Sequence, residues 1–152
     1  MEMAKQKLNF PSVDDPLWDE QHNMLTEHYH DVVDALEAND QNKAVAALEK
    51  FIESNSLHFE WEKLQMEDTG FPFFRLHTAD HHLAELMLEG VLERIVNQGF
   101  ESQKKSLVED IPEWFKNHID TMDRISINHV AQVHHGADPQ SLWRIPPEIK
   151  NE

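Results

Sequence analysis

Five histidines and two carboxylates are spread along the chain in a pattern that can hold a pair of metal ions: His22, His58, Glu62, His77, His81, His118 and Asp123. His58 and Glu62 are four residues apart, as are His77 and His81, so on a helix each pair leaves from one face and converges on one point. Asp123 follows His118 by five residues, which on an ideal helix places it about 140° away. It is therefore not expected to share a face with His118, and its offset suits a bridge between two ions better than joint ligation of one. Five nitrogens and two carboxylates also exceed the four ligands of a closed zinc site, whereas two ions sharing both carboxylates are close to fully coordinated. The chain has no Cys, which excludes disulfides, thiolate ligands, iron–sulfur clusters and thiol catalysis. Nitrogen- and oxygen-rich ligation of this kind suits iron, and suits a calcium cage poorly.

The residues that carry these ligands must be held by helices. His22 belongs to a stripe of Trp18, His22, Leu25, Tyr29, Val32 and Leu36, which predicts a helix over about 16–36. Asn39 and Asp40 read as a turn, with Asp40 capping a second helix over about 41–68 whose stripe is Leu48, Phe51, Asn55, His58, Glu62 and Met66. Gly70 and Pro72 end it. A third helix over about 73–97 strings together Phe74, His77, His81, Ala84, Leu88, Val91 and Ile95. A fourth over about 102–133 aligns Leu107, Ile111, Trp114, His118, Met122 and Ile125. Pro112 is expected to break or kink the first part of that helix, because proline lacks the helical N–H and crowds the preceding turn. No segment alternates like a strand. The expected fold is all-α, an up-down-up-down four-helix bundle over about 16–133. An N-terminal arm (1–15) and an extended tail (136–152) complete the expected single domain of 1–152, with Trp143 able to dock the tail on the body.

Six of the seven candidates, Asp123 aside, occupy positions of the apolar stripes, so a bundle buries them facing one another. An unpaired buried carboxylate costs several kcal/mol or is forced to protonate. Arg75 and Arg94 lie off the third helix's stripe, so no obvious cation of the chain meets Glu62. A multivalent ion resolves the conflict, because neutral imidazoles and ionised carboxylates then become ligands.

Composition narrows the partners. The formal charge is −16, from 29 acidic and 13 basic side chains, which argues against nucleic acid or an anionic membrane surface. The first residues, Met1 to Pro11, carry Glu2 and lack a long apolar run, so neither a signal peptide nor membrane insertion is expected, and a cytoplasmic location is the default. Of the other histidines, His28, His30 and His82 read as solvated surface, His129 as a packing or pocket-rim residue, and His134 and His135 as a helix C-terminal cap.

At the ligand positions the chain resembles the hemerythrin family. The matching pieces are Trp18-Asp19-Glu20-Gln21-His22, His58-Phe59-Glu60-Trp61-Glu62 with Met66, Phe71-Pro72 ahead of His77 and His81, and Trp114-Phe115-Lys116-Asn117-His118-Ile119 ending at Asp123. The resemblance implies two iron ions, with His77, His81 and His118 on one and His22 and His58 on the other. Glu62, Asp123 and an oxo or hydroxo group bridge them. The second iron then has one protein ligand fewer, and that open position is where the family binds dioxygen.

Two functions follow as expectations. The first is reversible binding of dioxygen without catalysis, as carrier, store or supplier. The second is a di-iron enzyme or iron and redox-stress protein acting on nitric oxide or peroxide, or donating iron. No further acid, base or nucleophile converges on the stripes, which favours the first. Leu25, Phe59, Trp114, Ile119 and Met122 lie within a turn of a ligand, so besides forming core they can exclude water from it. Neither the physiological protein partner nor the oligomeric state is legible in the sequence.

Overall fold

A computed structural model describes residues 11–134. Three long helices come first: α1 (Pro16–Glu37), α2 (Gln41–Thr69) and α3 (Phe74–Gln98). The fourth rod is composite. It opens with a 3-10 turn (Glu101–Gln103), then runs through a π turn (Ser106–Asp110), α4 (Ile111–His118), a second π turn (Ile119–Asp123) and α5 (Arg124–His134). These elements form an all-α four-helix bundle, with no strand among the described residues.

Local signals in the sequence start and stop the helices. The Asp15 carboxylate accepts from the backbone N–H groups of Leu17 (3.0 Å) and Trp18 (3.2 Å), satisfying two of the donors that a helix start leaves without partners. Asp40 caps α2 in the expected way, accepting from Lys43 N–H at 3.1 Å. Asn39 precedes it at φ 56°, and Gly70 ends α2 at φ 65°, the left-handed conformation that lets the last turn close on itself. Gln41 clasps the far end of α3 to the start of α2. Its amide donates to Ile95 O (2.8 Å) and its carbonyl accepts from Phe100 N–H (3.2 Å).

The stripes of the first three helices are buried as expected, Phe74 alone being only half-buried. The fourth stripe departs from expectation. Phe115 is buried where Trp114 is only half-buried, and beyond the second π turn Ile125 is 53% exposed while Ser126, Ile127 and Val130 point inward. The reason is geometric: a π turn fits one more residue into a turn than an α-helix does, so every position after it rotates relative to a regular 3.6-residue reading. The interruption expected at Pro112 takes the same form. Ile111 N–H donates five residues back to Ser106 O, and the widened turn lies just before the proline that has no N–H to give. Tyr29 braces this turn from α1, its hydroxyl donating to Leu107 O at 2.6 Å.

Two apolar clusters share the interior. The larger fills one end with Tyr29, Leu48, Phe51, Leu88, Ile95 and Phe115, among others. The smaller caps the opposite end with Val13, Trp18, Trp61, Ile119 and Ile127. α1, α2 and the fourth rod contribute to both clusters, and α3 to the larger one. The end of the N-terminal arm joins the smaller cluster: Asp19 accepts from Ser12 Oγ (2.7 Å) and Val13 N–H (2.9 Å), which seats Val13 against the body. Trp143, His135 and the tail lie outside the described residues.

Candidate metal centre

All seven sequence candidates meet in the layer between the two clusters, and none is more than 4% exposed. His22 comes from α1, His58 and Glu62 from consecutive turns of α2, His77 and His81 from consecutive turns of α3, and His118 and Asp123 from the fourth rod. Two subsets approach closely enough to hold one ion each: Glu62, His77, His81, His118 and Asp123, and His22, His58 and Asp123.

Asp123 corrects the α-helical expectation. The residues from Ile119 to Asp123 form a π turn, in which Arg124 N–H reaches five residues back to Ile119 O. That turn carries Asp123 onto the face of His118, and its Oδ1 lies 3.0 Å from His118 Nε2. The same carboxylate nevertheless faces both subsets. Oδ1 is also 3.1 Å from His77 Nε2, while Oδ2 is 3.1 Å from His22 Nε2. Glu62 likewise stands between helices, with Oε2 at 3.2 Å from His58 Nε2 and 3.3 Å from His81 Nε2, and Oε1 at 3.7 Å from His77 Nε2.

These contacts are those of atoms aimed at common points. Both Glu62 oxygens and Asp123 Oδ1 are buried and lack hydrogen-bond geometry to any described donor despite their closeness to imidazole nitrogens. His118 Nε2 is 3.2 Å from His77 Nε2 and 3.1 Å from His81 Nε2. Two ligand atoms about 2.1 Å from one ion are about 3.0 Å apart at right angles and about 3.4 Å apart at tetrahedral angles, so the separations at His118 Nε2 are those of atoms able to share one cation.

Groups that the sequence reading missed set the imidazole orientations. Ser126 Oγ donates to Met122 O (2.9 Å), so it must accept from His77 Nδ1–H, 2.6 Å away. The carboxylate of Asp80 accepts from His118 Nδ1–H at 2.6 Å, and Gln21 Oε1 accepts from His58 Nδ1–H at 3.3 Å. In each neutral ring the proton is thus held on Nδ1, and the Nε2 lone pair points into the centre. A sequence signal existed for each, since Gln21 adjoins His22, Asp80 follows His77 by three, and Ser126 follows Asp123 by three. None could be recognised without knowing which helices face each other.

The electrostatics show what the cluster lacks. Burial, reinforced by the charge of Asp123, raises the pKa of Glu62. Burial lowers that of His81 to about 4, against the pull of Glu62. Burial also opposes charge on His118, yet Asp123, Asp80 and Glu62 outweigh it and raise its pKa to about 10. Asp123 is held well below the usual carboxylate range, because His118 and the contacts from His22 and His77 overcome its burial. The layer therefore sets His118, held cationic, and His81, held neutral, beside two buried carboxylates of which Glu62 resists its charge.

Aromatic rings wall the layer. Phe59 stacks on His81 with centroids 3.7 Å apart and planes 5° from parallel, and Trp114 stacks on His118 at 4.6 Å and 12°. Leu25 and Ile119 are fully buried beside them. The remaining histidines stand apart. His82 is exposed, His28 and His30 are half-buried, His134 ends α5, and His129 Nε2 donates to Thr69 O (2.8 Å), which makes it a packing residue across the end of α2.

A four-helix bundle with a buried layer of histidines and carboxylates defines the class: a helical cation-binding domain. The chain belongs to the hemerythrin family, whose HHE cation-binding domain matches residues 14–128. A bacteriohemerythrin of Ralstonia nicotianae is 35% identical over 101 residues, covering 66% of this chain and 70% of that protein. A bacteriohemerythrin of Pseudomonas aeruginosa is 29% identical over 102 residues, and the match spans 66% of this chain and 65% of that protein. No solved structure gives a significant match. No helix among the described residues is long and apolar enough to cross a membrane.

Proposed function

We propose that His22, His58, Glu62, His77, His81, His118 and Asp123 hold two iron ions and that the chain binds dioxygen reversibly, as a carrier, store or local supplier. The observation that carries this reading is the division of the layer: one carboxylate, Asp123, turns Oδ1 toward His77 and His118 and Oδ2 toward His22. A carboxylate presented this way would serve two ions, with His77, His81 and His118 holding one and His22 and His58 the other. Three imidazoles against two would leave the second ion with one protein ligand fewer. When bound, the iron pair supplies the electrons and the coordination site that dioxygen needs. Family membership over residues 14–128 supports treating the bundle as one such domain.

The chain's own residues do the rest. Ser126, Asp80 and Gln21 keep three Nε2 lone pairs directed inward, so binding requires little reorganisation. Phe59, Trp114, Leu25 and Ile119 exclude water around the layer, which protects a bound small molecule from protonation and loss.

The test is iron quantification on protein purified without added metal, then anaerobic reduction and titration with oxygen while the visible spectrum is recorded. Two irons per chain with a charge-transfer band that appears and disappears reversibly supports the proposal. Irreversible bleaching, or turnover of peroxide or nitric oxide, replaces it with the enzymatic reading. Full oxygen binding and two irons in His58→Ala show that the ligand assignment is wrong.

A further inference from the structure

The outer face of α3 carries apolar residues that neither the core nor the metal layer uses. Leu76 is 58% exposed, Leu83 61% and Leu86 52%, and Ala79 between them is exposed as well. Their spacing of three, four and three residues is the a/d repeat with which two helices pack, whereas the inward face of α3 uses His77, His81, Ala84 and Leu88. Leu76 also borders a shallow apolar groove formed with Phe71, Phe73, Met122 and Ile125. A contiguous apolar strip of this kind on a strongly charged protein marks an interaction surface.

We propose that this face is the contact surface of a homodimer, two copies packing antiparallel along α3 about a twofold axis. The strip is self-complementary. With Leu76 opposite the partner's Leu86, Ala79 falls opposite the partner's Leu83, small against large, and symmetry repeats both pairs. The same register brings Arg75 beside the partner's Glu89 and the partner's Arg75 beside Glu89, so that two opposite-charge pairs border the apolar contact. Arg75 and Glu89 are both exposed and stand at the flanking positions of the repeat. On the other flank Asp80 approaches its symmetry mate, and its carboxylate is already engaged by His118 Nδ1 of its own copy. A second copy suits this strip better than a basic partner does, because the charges bordering the leucines are of both signs. The inference does not depend on iron or oxygen, since it uses the face of α3 turned away from the metal layer.

The experiment is light scattering coupled to gel filtration on the full chain, from about 5 to 200 μM. A dimer is expected within that range. Leu83→Glu, which places two carboxylates in the contact, should weaken it at least about 100-fold. Arg75→Glu and Glu89→Arg should each weaken it about 10-fold, and the double exchange should restore it to within about 3-fold, because the pairs re-form with reversed sign. All three sites are exposed, so circular dichroism spectra should stay those of the wild type, and melting temperatures should agree with it at concentrations low enough for every protein to be monomeric. A monomer at 200 μM overturns the proposal. So does a dimer indifferent to Leu83→Glu, which puts the interface elsewhere, and so does additive weakening by the two charge reversals without recovery, which excludes this register.

Discussion

Glu62→Gln separates a metal-coordinating carboxylate from a merely structural one. Glu62 is fully buried, burial and Asp123 both disfavour its charge, and neither of its oxygens has hydrogen-bond geometry to a described donor. Glutamine keeps the shape and removes the charge, so the chelated variant should melt at or slightly above the chelated wild type. The metal-bound state behaves oppositely, since it loses an anionic ligand. At free metal about 100 to 1,000 times the dissociation constant, binding stabilises the wild type by about 2.7–4.1 kcal/mol. At about 2–4 °C per kcal/mol for a chain of this size, that is a rise of about 5–16 °C. If the substitution weakens binding about 100-fold or more, the variant's rise at the same metal concentration should be no more than a few degrees. The assay is differential scanning calorimetry under anaerobic conditions, with ferrous iron and with chelator, on both proteins. A wild-type metal shift in the variant, or a chelated variant several degrees less stable than the chelated wild type, refutes the reasoning.

Asp80→Asn replaces the charged acceptor of His118 Nδ1–H with a neutral one and should weaken metal binding about 10- to 100-fold, measured by chelator competition, while the helical content stays unchanged. In the metal-free chain His118 has its pKa raised to about 10 from 6.5, so its stabilising charge is fully present below about pH 6.5 and is lost as pH rises toward 10. The melting temperature of chelated protein should therefore fall across that window, whereas metal-loaded protein, whose ligands must be deprotonated, should weaken toward acid instead. Tyr29→Phe removes the donor to Leu107 O at the first π turn and should cost about 1–3 kcal/mol in urea unfolding without changing metal content.

The clustering of histidines and carboxylates in one buried layer was legible because α-helical spacing is local: pairs four apart share a face in any bundle. His58 with Glu62 and His77 with His81 needed only the 3.6-residue period, and the turns at Asn39, Asp40 and Gly70 needed only backbone and capping chemistry. Once Glu62 falls on an apolar stripe, burial without a cation is costly, and that too follows from the sequence.

What the sequence could not contain is any property that depends on departures from the regular period or on which helices touch. The two π turns are invisible to a periodic reading, so Ile125 was expected inside and is exposed, and Asp123 was expected off the face of His118 and lies on it. The acceptors that aim the imidazoles come from a different helix in all three cases: Gln21 of α1 for His58 of α2, Asp80 of α3 for His118 of α4, and Ser126 of α5 for His77 of α3. Sequence by itself determined the helices, the histidines and carboxylates of the buried layer and the cost of burying them without a cation, because propensity, spacing and desolvation act along the chain. Tertiary structure alone decided how the carboxylates divide between the imidazoles and which leucines remain on the surface, because both depend on the angular register between helices that are distant in sequence.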